Sequence, residues 1–304
     1  MPTIVMTGGT SGFGAIALGH LAAAGQARLL IGARRPPAVG DHLPLDLTRL
    51  DDVRAFAAAA LRRLDGAPVD ILVLNAGIVR ADDTGRTPDG FETTFAVNHL
   101  AHYLLLRLLL PALADGGRVV LTTSGTHDPG VGAGLATPRH ADVGLLARPD
   151  HDPGRDPHPR RAGEHAYTAS KLCAILTARA LAARPEGERL TVLSYDPGQV
   201  FGTGLAHGLS PVRRVAWRVM GAGAMRAVTT RLSSTINRAD DAGRALAGLA
   251  LGERDGGTDP PAGRDYAALR RGRLIWPDPS ELARDDTLAR DVWDASERLL
   301  GRLG

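Results

Sequence analysis

Apolar runs of strand length alternate with segments of helical period from the first residues onward, and this alternation constrains the fold more than any other feature of the chain. The expected strands cover residues 3–7, 27–33, 42–47, 69–75, 118–123 and 190–195, and residues 69–75 form a continuous apolar run. Such runs belong to strands buried on both faces. Between them, residues 12–24, 51–64, 89–113 and 163–183 carry helical spacing, as do residues 286–303 at the tail. The second helix shows it in Val53, Phe56, Ala57, Ala60, Leu61 and Leu64. Strands that alternate with helices predict a three-layer α/β domain: a doubly wound, mostly parallel sheet with helices on both faces.

One domain over residues 1–304 is expected, because no repeat or long linker separates two cores, and 44% hydrophobic residues suffice for one large core. Two stretches interrupt the pattern. Residues 125–161 are rich in Gly, Pro, Asp and His and read as a long excursion before the fourth helix. Residues 205–231 place Val212, Val215, Ala216, Val219 and Met220 beside Arg213, Arg214 and Arg218, which describes a short amphipathic helix suited to a lid.

Charge and composition narrow the function. A net charge of +3, carried almost entirely by scattered arginines, and only 4% aromatic residues argue against nucleic acid as a partner. No signal peptide and no run of 18 apolar residues is visible, so stable membrane insertion is not expected. The single cysteine, Cys173, fits a reducing cytoplasm. His127, His140, His151, His158 and His165 populate the excursion without compact metal-ligand spacing, so no metal is expected.

Thr7 to Gly14 reads Thr-Gly-Gly-Thr-Ser-Gly-Phe-Gly where the first strand gives way to the first helix. Gly8 and Gly12 permit a tight turn close to a ligand, Gly14 permits close packing of helix on sheet, and Thr10, Ser11 and Phe13 complete a loop whose helix-start N–H groups suit a pyrophosphate. The second strand ends in Arg34-Arg35 with no acidic residue to take a ribose 2′-hydroxyl. An arginine pair there suits a 2′-phosphate, favouring NADP(H) over NAD; two solvated loop arginines are the alternative. Asp46, followed by Leu47 and Thr48, suits either an adenine amino group or a helix cap.

Tyr167 and Lys171 stand four residues apart on the expected fourth helix, which puts a phenol beside an ammonium ion. A cation there favours the phenolate and equips the tyrosine to trade a proton.

Across nearly the whole chain these residues resemble the short-chain dehydrogenase/reductase family. The glycine turn, Asp46-Leu47, Asn75-Ala76-Gly77, Asn98, Ser124, Tyr167 with Lys171, and Pro197-Gly198 stand in that family's order. The resemblance implies a Rossmann-type fold, a nicotinamide cofactor and a small-molecule substrate. It makes Tyr167 the general acid, Lys171 its partner and a ribose ligand, Ser124 the donor to the substrate oxygen, and Asn98 the holder of a relay water. It also sets Asn75, Ala76 and Gly77 against the adenosine side, with Pro197, Gly198, Val200 and Thr203 near the nicotinamide. The family habit of dimers or tetramers implies a possible homo-oligomer.

Within the family, the segments 87–92 and 97–102, Ser170-Lys171-Leu172-Cys173, Thr203-Gly204-Leu205 and residues 289–297 are similar to protochlorophyllide reductases and retinol dehydrogenases. Gln199 replaces the cysteine that protochlorophyllide reductases carry after the Pro-Gly turn, so a light-driven reaction is not expected, although an amide suits a substrate carbonyl. Ser124, His127, Gln199, Phe201 and Trp217 are the expected substrate contacts. They fit a bulky hydrophobic or aromatic ketone, with reduction of a conjugated C=C bond, or an NADP-binding regulator without turnover, as alternatives.

Overall fold

The computed structural model describes residues 1–201, 233–252 and 259–301. Its sheet has eight strands in the order β3-β2-β1-β4-β5-β6-β7-β8. These are β1 (Thr3–Thr7), β2 (Arg28–Ala33), β3 (Asp41–Pro44), β4 (Val69–Leu74), β5 (Leu113–Thr122), β6 (Thr191–Asp196), β7 (Tyr266–Arg270) and β8 (Arg273–Ile275). Every pairing is parallel except β7 with β8. The order reverses direction between β1 and β4, and the carboxyl ends flanking that switch point form the crevice where open α/β sheets bind ligands.

Alternation along each strand sorts side chains into two cores. Val5, Leu72 and Val119 pack with α2 (Leu50–Leu64), α4 (Ala101–Leu109) and α6 (Pro159–Ala182), while Ile4, Met6, Val73 and Val120 face α1 (Gly12–Ala23) and α8 (Ala239–Leu251). Among the described residues are also the minor helices α3 (Thr93–Phe95), α5 (Val143–Ala147) and α7 (Pro185–Glu188) and the closing helix α9 (Asp286–Leu300). Trp293 of α9 is 1% exposed, meets Tyr103 edge-on at 5.1 Å and lies between the guanidinium groups of Arg107 and Arg184.

The helix expected from residue 89 starts instead at Glu92, whose buried carboxylate accepts from the N–H groups of Thr94 (2.8 Å) and Phe95 (2.6 Å). Burial pushes that carboxyl up to about 7. Asp89 serves another helix, accepting from the Leu50 N–H at the start of α2. Between α3 and α4 the chain makes a π-helical turn over Ala96–Leu100. The stretch Thr93–Ala112 is long and apolar enough to cross a membrane by composition, with mean hydropathy 1.2, yet 78% of it is buried inside the fold.

Residues 232–285 carried no sequence assignment, yet they supply α8 and the last two strands. The excursion is pinned rather than free. Arg155 holds buried Asp83 through two hydrogen bonds of 2.7 and 2.8 Å, and Ala136 is tied through its N–H to Glu164 and its carbonyl to the Thr168 hydroxyl. Those last anchors flank Tyr167 on α6. The expected lid at 205–231 lies outside the described residues, as do Thr203 and Trp217.

Candidate active site

The glycine turn closes over the end of β1. Gly8 and Gly12 have left-handed φ angles of 72° and 56°, and a Cβ on Gly14 would lie 2.0 Å from the Gly8 carbonyl oxygen. Only glycine fits that approach. Ser11 precedes α1 with its side chain unbonded to the helix N–H groups, beside exposed Thr10, while Phe13 packs on the second core. The open first turn fits a phosphate. Arg34 and Arg35 are exposed where β2 ends and make no ion pair with the described residues, so this cradle and its basic flank fit a dinucleotide bearing a 2′-phosphate.

Thr7, which sequence reasoning passed over, organises the floor. Its Oγ1 accepts from the N–H groups of Asn75 (3.1 Å) and Ala76 (3.2 Å) and lies 3.0 Å from His102 Nε2. His102 Nδ1 is 3.2 Å from the Asn98 carbonyl, which can only accept, so Nδ1 carries the proton and the Thr7 hydroxyl donates to Nε2. Burial holds this imidazole neutral, its pKa lowered to about 4. Asn75 itself donates to the Gly8 carbonyl and accepts from the Thr122 hydroxyl, joining the ends of β1, β4 and β5.

Asn98 sits in the π-helical turn, a distortion that re-aims side chains. Its carboxamide accepts from the Ile78 N–H (2.9 Å) and donates to the Ile78 carbonyl and the Ser170 hydroxyl (both 3.0 Å). A Cβ on Gly77 would stand 3.5 Å from Asn98 Oδ1 and 3.4 Å from Lys171 Nζ. The Asn75-Ala76-Gly77 turn therefore passes directly beside the lysine.

Ser124, Tyr167 and Lys171 converge where β5 ends beside the middle of α6. Ser124 lies close enough to the Tyr167 phenol to favour its charged form, and Lys171 Nζ donates to the Thr122 carbonyl at 3.0 Å, lying 5.9 Å from the Tyr167 ring. The spacing argument expected the cation to favour the phenolate. Burial dominates instead, pushing Tyr167 up to about 12 and Lys171 down to about 8, because each charged form is desolvated. In this state Tyr167 keeps its proton.

The turn after β6 supplies the opposite wall. Gly198 has φ 69°, and Asn237 donates to the Pro197 (3.0 Å) and Leu269 (2.8 Å) carbonyls while accepting from Gly272 N–H. Gln199 pairs with Ile236 through its backbone, leaving its half-buried amide side chain free of backbone duties, next to buried Val200 and half-buried Phe201. His127 requires a correction. Its ring is 1% exposed, Nδ1–H donates to the Ser124 carbonyl (2.8 Å), and Nε2 accepts from the Ser280 N–H (3.2 Å). Both nitrogens are spent, so His127 buttresses Ser124 instead of lining the pocket. Asp46 accepts from the Thr48 N–H (3.0 Å) and hydroxyl (2.9 Å) in a turn before α2, so its local role is a turn closure, with Leu47 packed on the core.

One signal in the sequence escaped notice. Of 36 lysine and arginine residues, Lys171 is the single lysine. A forked guanidinium replaces an ammonium at 35 of those 36 positions but not where a compact donor must reach the Thr122 carbonyl.

A family model for short chain dehydrogenases matches residues 2–135. The rice (Oryza sativa subsp. japonica) enzyme protochlorophyllide reductase B is 31% identical over 98% of this chain and 77% of its own length. The chain belongs to the short-chain dehydrogenase/reductase family. Human (Homo sapiens) retinol dehydrogenase 12 is 30% identical over 84% of this chain and 68% of its own. Among solved structures, a putative uncharacterized protein from Mycobacterium Paratuberculosis has 24% identity and a TM-score of 0.61, covering 98% of this chain and 93% of that one, a likeness in fold. This short-chain dehydrogenase/reductase brings Ser124 beside Tyr167, and Asn98 and Lys171 beside Gly77, near the carboxyl ends of β4 and β5.

Proposed function

We propose that this family member is a cytoplasmic NADPH-dependent ketoreductase acting on a bulky hydrophobic or aromatic carbonyl compound, with Tyr167 as the proton donor. The carrying observation is the neutral, buried Tyr167 phenol next to Ser124, one helical turn before Lys171 on α6. A reduced nicotinamide, when bound, supplies the hydride. Ser124 and Tyr167 hold the substrate oxygen as negative charge develops there, and Tyr167 delivers its proton to that oxygen. Lys171, next to the Asn75-Ala76-Gly77 turn, stabilises the phenolate left behind and reaches the cofactor ribose. Asn98 holds the Ile78 backbone and the base of α6 in register. Its relay water belongs to this proposal too. Retinol dehydrogenase 12 by name acts on a bulky apolar alcohol, which supports the substrate class. The protochlorophyllide reductase likeness favours a second reading, reduction of a conjugated C=C bond.

Cofactor choice rests on Arg34 and Arg35. Replacing both by alanine is expected to weaken NADPH binding roughly 10- to 100-fold, the worth of a lost charge-assisted phosphate contact, and to leave NADH binding nearly unchanged. Fluorescence titration with both nucleotides checks this. An equal loss for NADH and NADPH would assign the arginines no phosphate role.

A further inference from the structure

Behind Ser124, where β5, β6 and β7 end together, lies a charge pair that the catalytic set does not use. Asp196 is fully buried, and its Oδ2 accepts from Arg270 Nη2 at 2.7 Å and from the Tyr266 hydroxyl at 3.2 Å. Its Oδ1 accepts from the Gly198 N–H at 2.8 Å, which sets the turn that faces the cofactor crevice. A Cβ on Gly125, directly after Ser124, would lie 2.8 Å from Asp196 Oδ2 and 3.2 Å from Arg270 Nη2. The pair thus touches both walls of the site. Tyr195, the residue before Asp196, pairs with Thr122, whose carbonyl receives Lys171.

We propose that Asp196 and Arg270 form a positioning pair that braces Ser124 and the Pro197-Gly198 turn and balances the charge next to Tyr167 and Lys171. The proposal rests on the reading of Tyr167 and Lys171 as the proton-delivering pair. Its physical content is electrostatic. The Asp196 carboxylate disfavours a phenolate at Tyr167 and favours the ammonium of Lys171, and the Arg270 guanidinium paired to it at 2.7 Å carries the opposite charge. A buried carboxylate without its guanidinium would overcharge the site, and a buried guanidinium without its carboxylate would do the reverse.

The surrounding groups leave one titration to observe. His127 is packed edge-on against Tyr266 and feels Asp196, Asp128 and Arg270, while His102 feels Lys171; burial lowers both histidines. Tyr167, Tyr195 and Tyr266 are all raised by burial. Among these groups around the pair, Lys171 is the one that changes charge between the histidines and the phenols, and it is the single lysine of the chain.

Protein labelled with ¹³C,¹⁵N-lysine therefore gives one lysine side-chain NMR signal, and its midpoint is read without turnover or substrate. The parent midpoint is expected near 8. Asp196→Asn, which leaves Arg270 unbalanced, lowers it, and Arg270→Gln, which leaves Asp196 unbalanced, raises it, each by at least about half a pH unit. The double variant returns close to the parent. Should Asp196→Asn fail to fold, an upward shift in Arg270→Gln that the double variant reverses supports the proposal equally. Shifts of the same sign in the two single variants, or no shift in Arg270→Gln, overturn it. Absence of ketone turnover in the parent would remove the ketoreductase reading and leave this titration result standing.

Discussion

Replacing Tyr167 by phenylalanine is expected to lower turnover about 10²- to 10⁴-fold, the range for a lost general acid, with NADPH affinity within about threefold of the parent. The selectivity follows from the geometry. The phenol lies beside Ser124 on α6, whereas the phosphate cradle is built from the glycine turn between β1 and α1. Phenylalanine keeps the ring packing of a side chain that is 6% exposed. Steady-state kinetics beside a fluorescence binding titration measures both quantities. A Tyr167→Phe variant retaining more than about a tenth of parent turnover would remove Tyr167 from the reaction.

The largest expected effect on stability lies far from that crevice. Trp293→Ala is expected to cost about 3–5 kcal/mol, the usual range for emptying a buried tryptophan site. The buried indole of α9 meets Tyr103 of α4 edge-on and has the guanidinium groups of Arg107 on α4 and Arg184 just beyond α6 over its ring. Those arginines also bond Glu297 and Asp294, each at 2.8 Å, so the truncation loosens three helix contacts together. Urea unfolding followed by circular dichroism gives the value; a loss below about 1 kcal/mol would mean that the site collapses around the smaller side chain.

The first six strands were legible in the sequence because strands covered on both faces must be apolar throughout, and residues 69–75 announced one directly. The glycine turn was legible for a different reason: left-handed backbone and a 2.0 Å approach leave glycine as the one residue that fits. Asn98, Ser124, Tyr167 and Lys171 were picked out by family order and spacing. What spacing could not supply was solvent exclusion. Tyr167 and Lys171 on a solvated helix would stabilise each other's charges, but both are buried, and desolvation reverses the expected shift of the phenol. His127 misled for a related reason, since nearness to Ser124 in sequence says nothing of which way the ring turns. The Asp196–Arg270 pair was invisible because its members lie 74 residues apart and meet only through the pairing of β6 with β7.

The central claim is that this short-chain dehydrogenase/reductase places hydride on a carbonyl carbon while Tyr167 protonates its oxygen. NADPH deuterated at the transferable position, supplied with a panel of aromatic ketones and enones and followed by NMR of the product, tests it most directly. The account predicts an alcohol with deuterium on the carbinol carbon. Deuterium on a former alkene carbon, with the carbonyl intact, would contradict it.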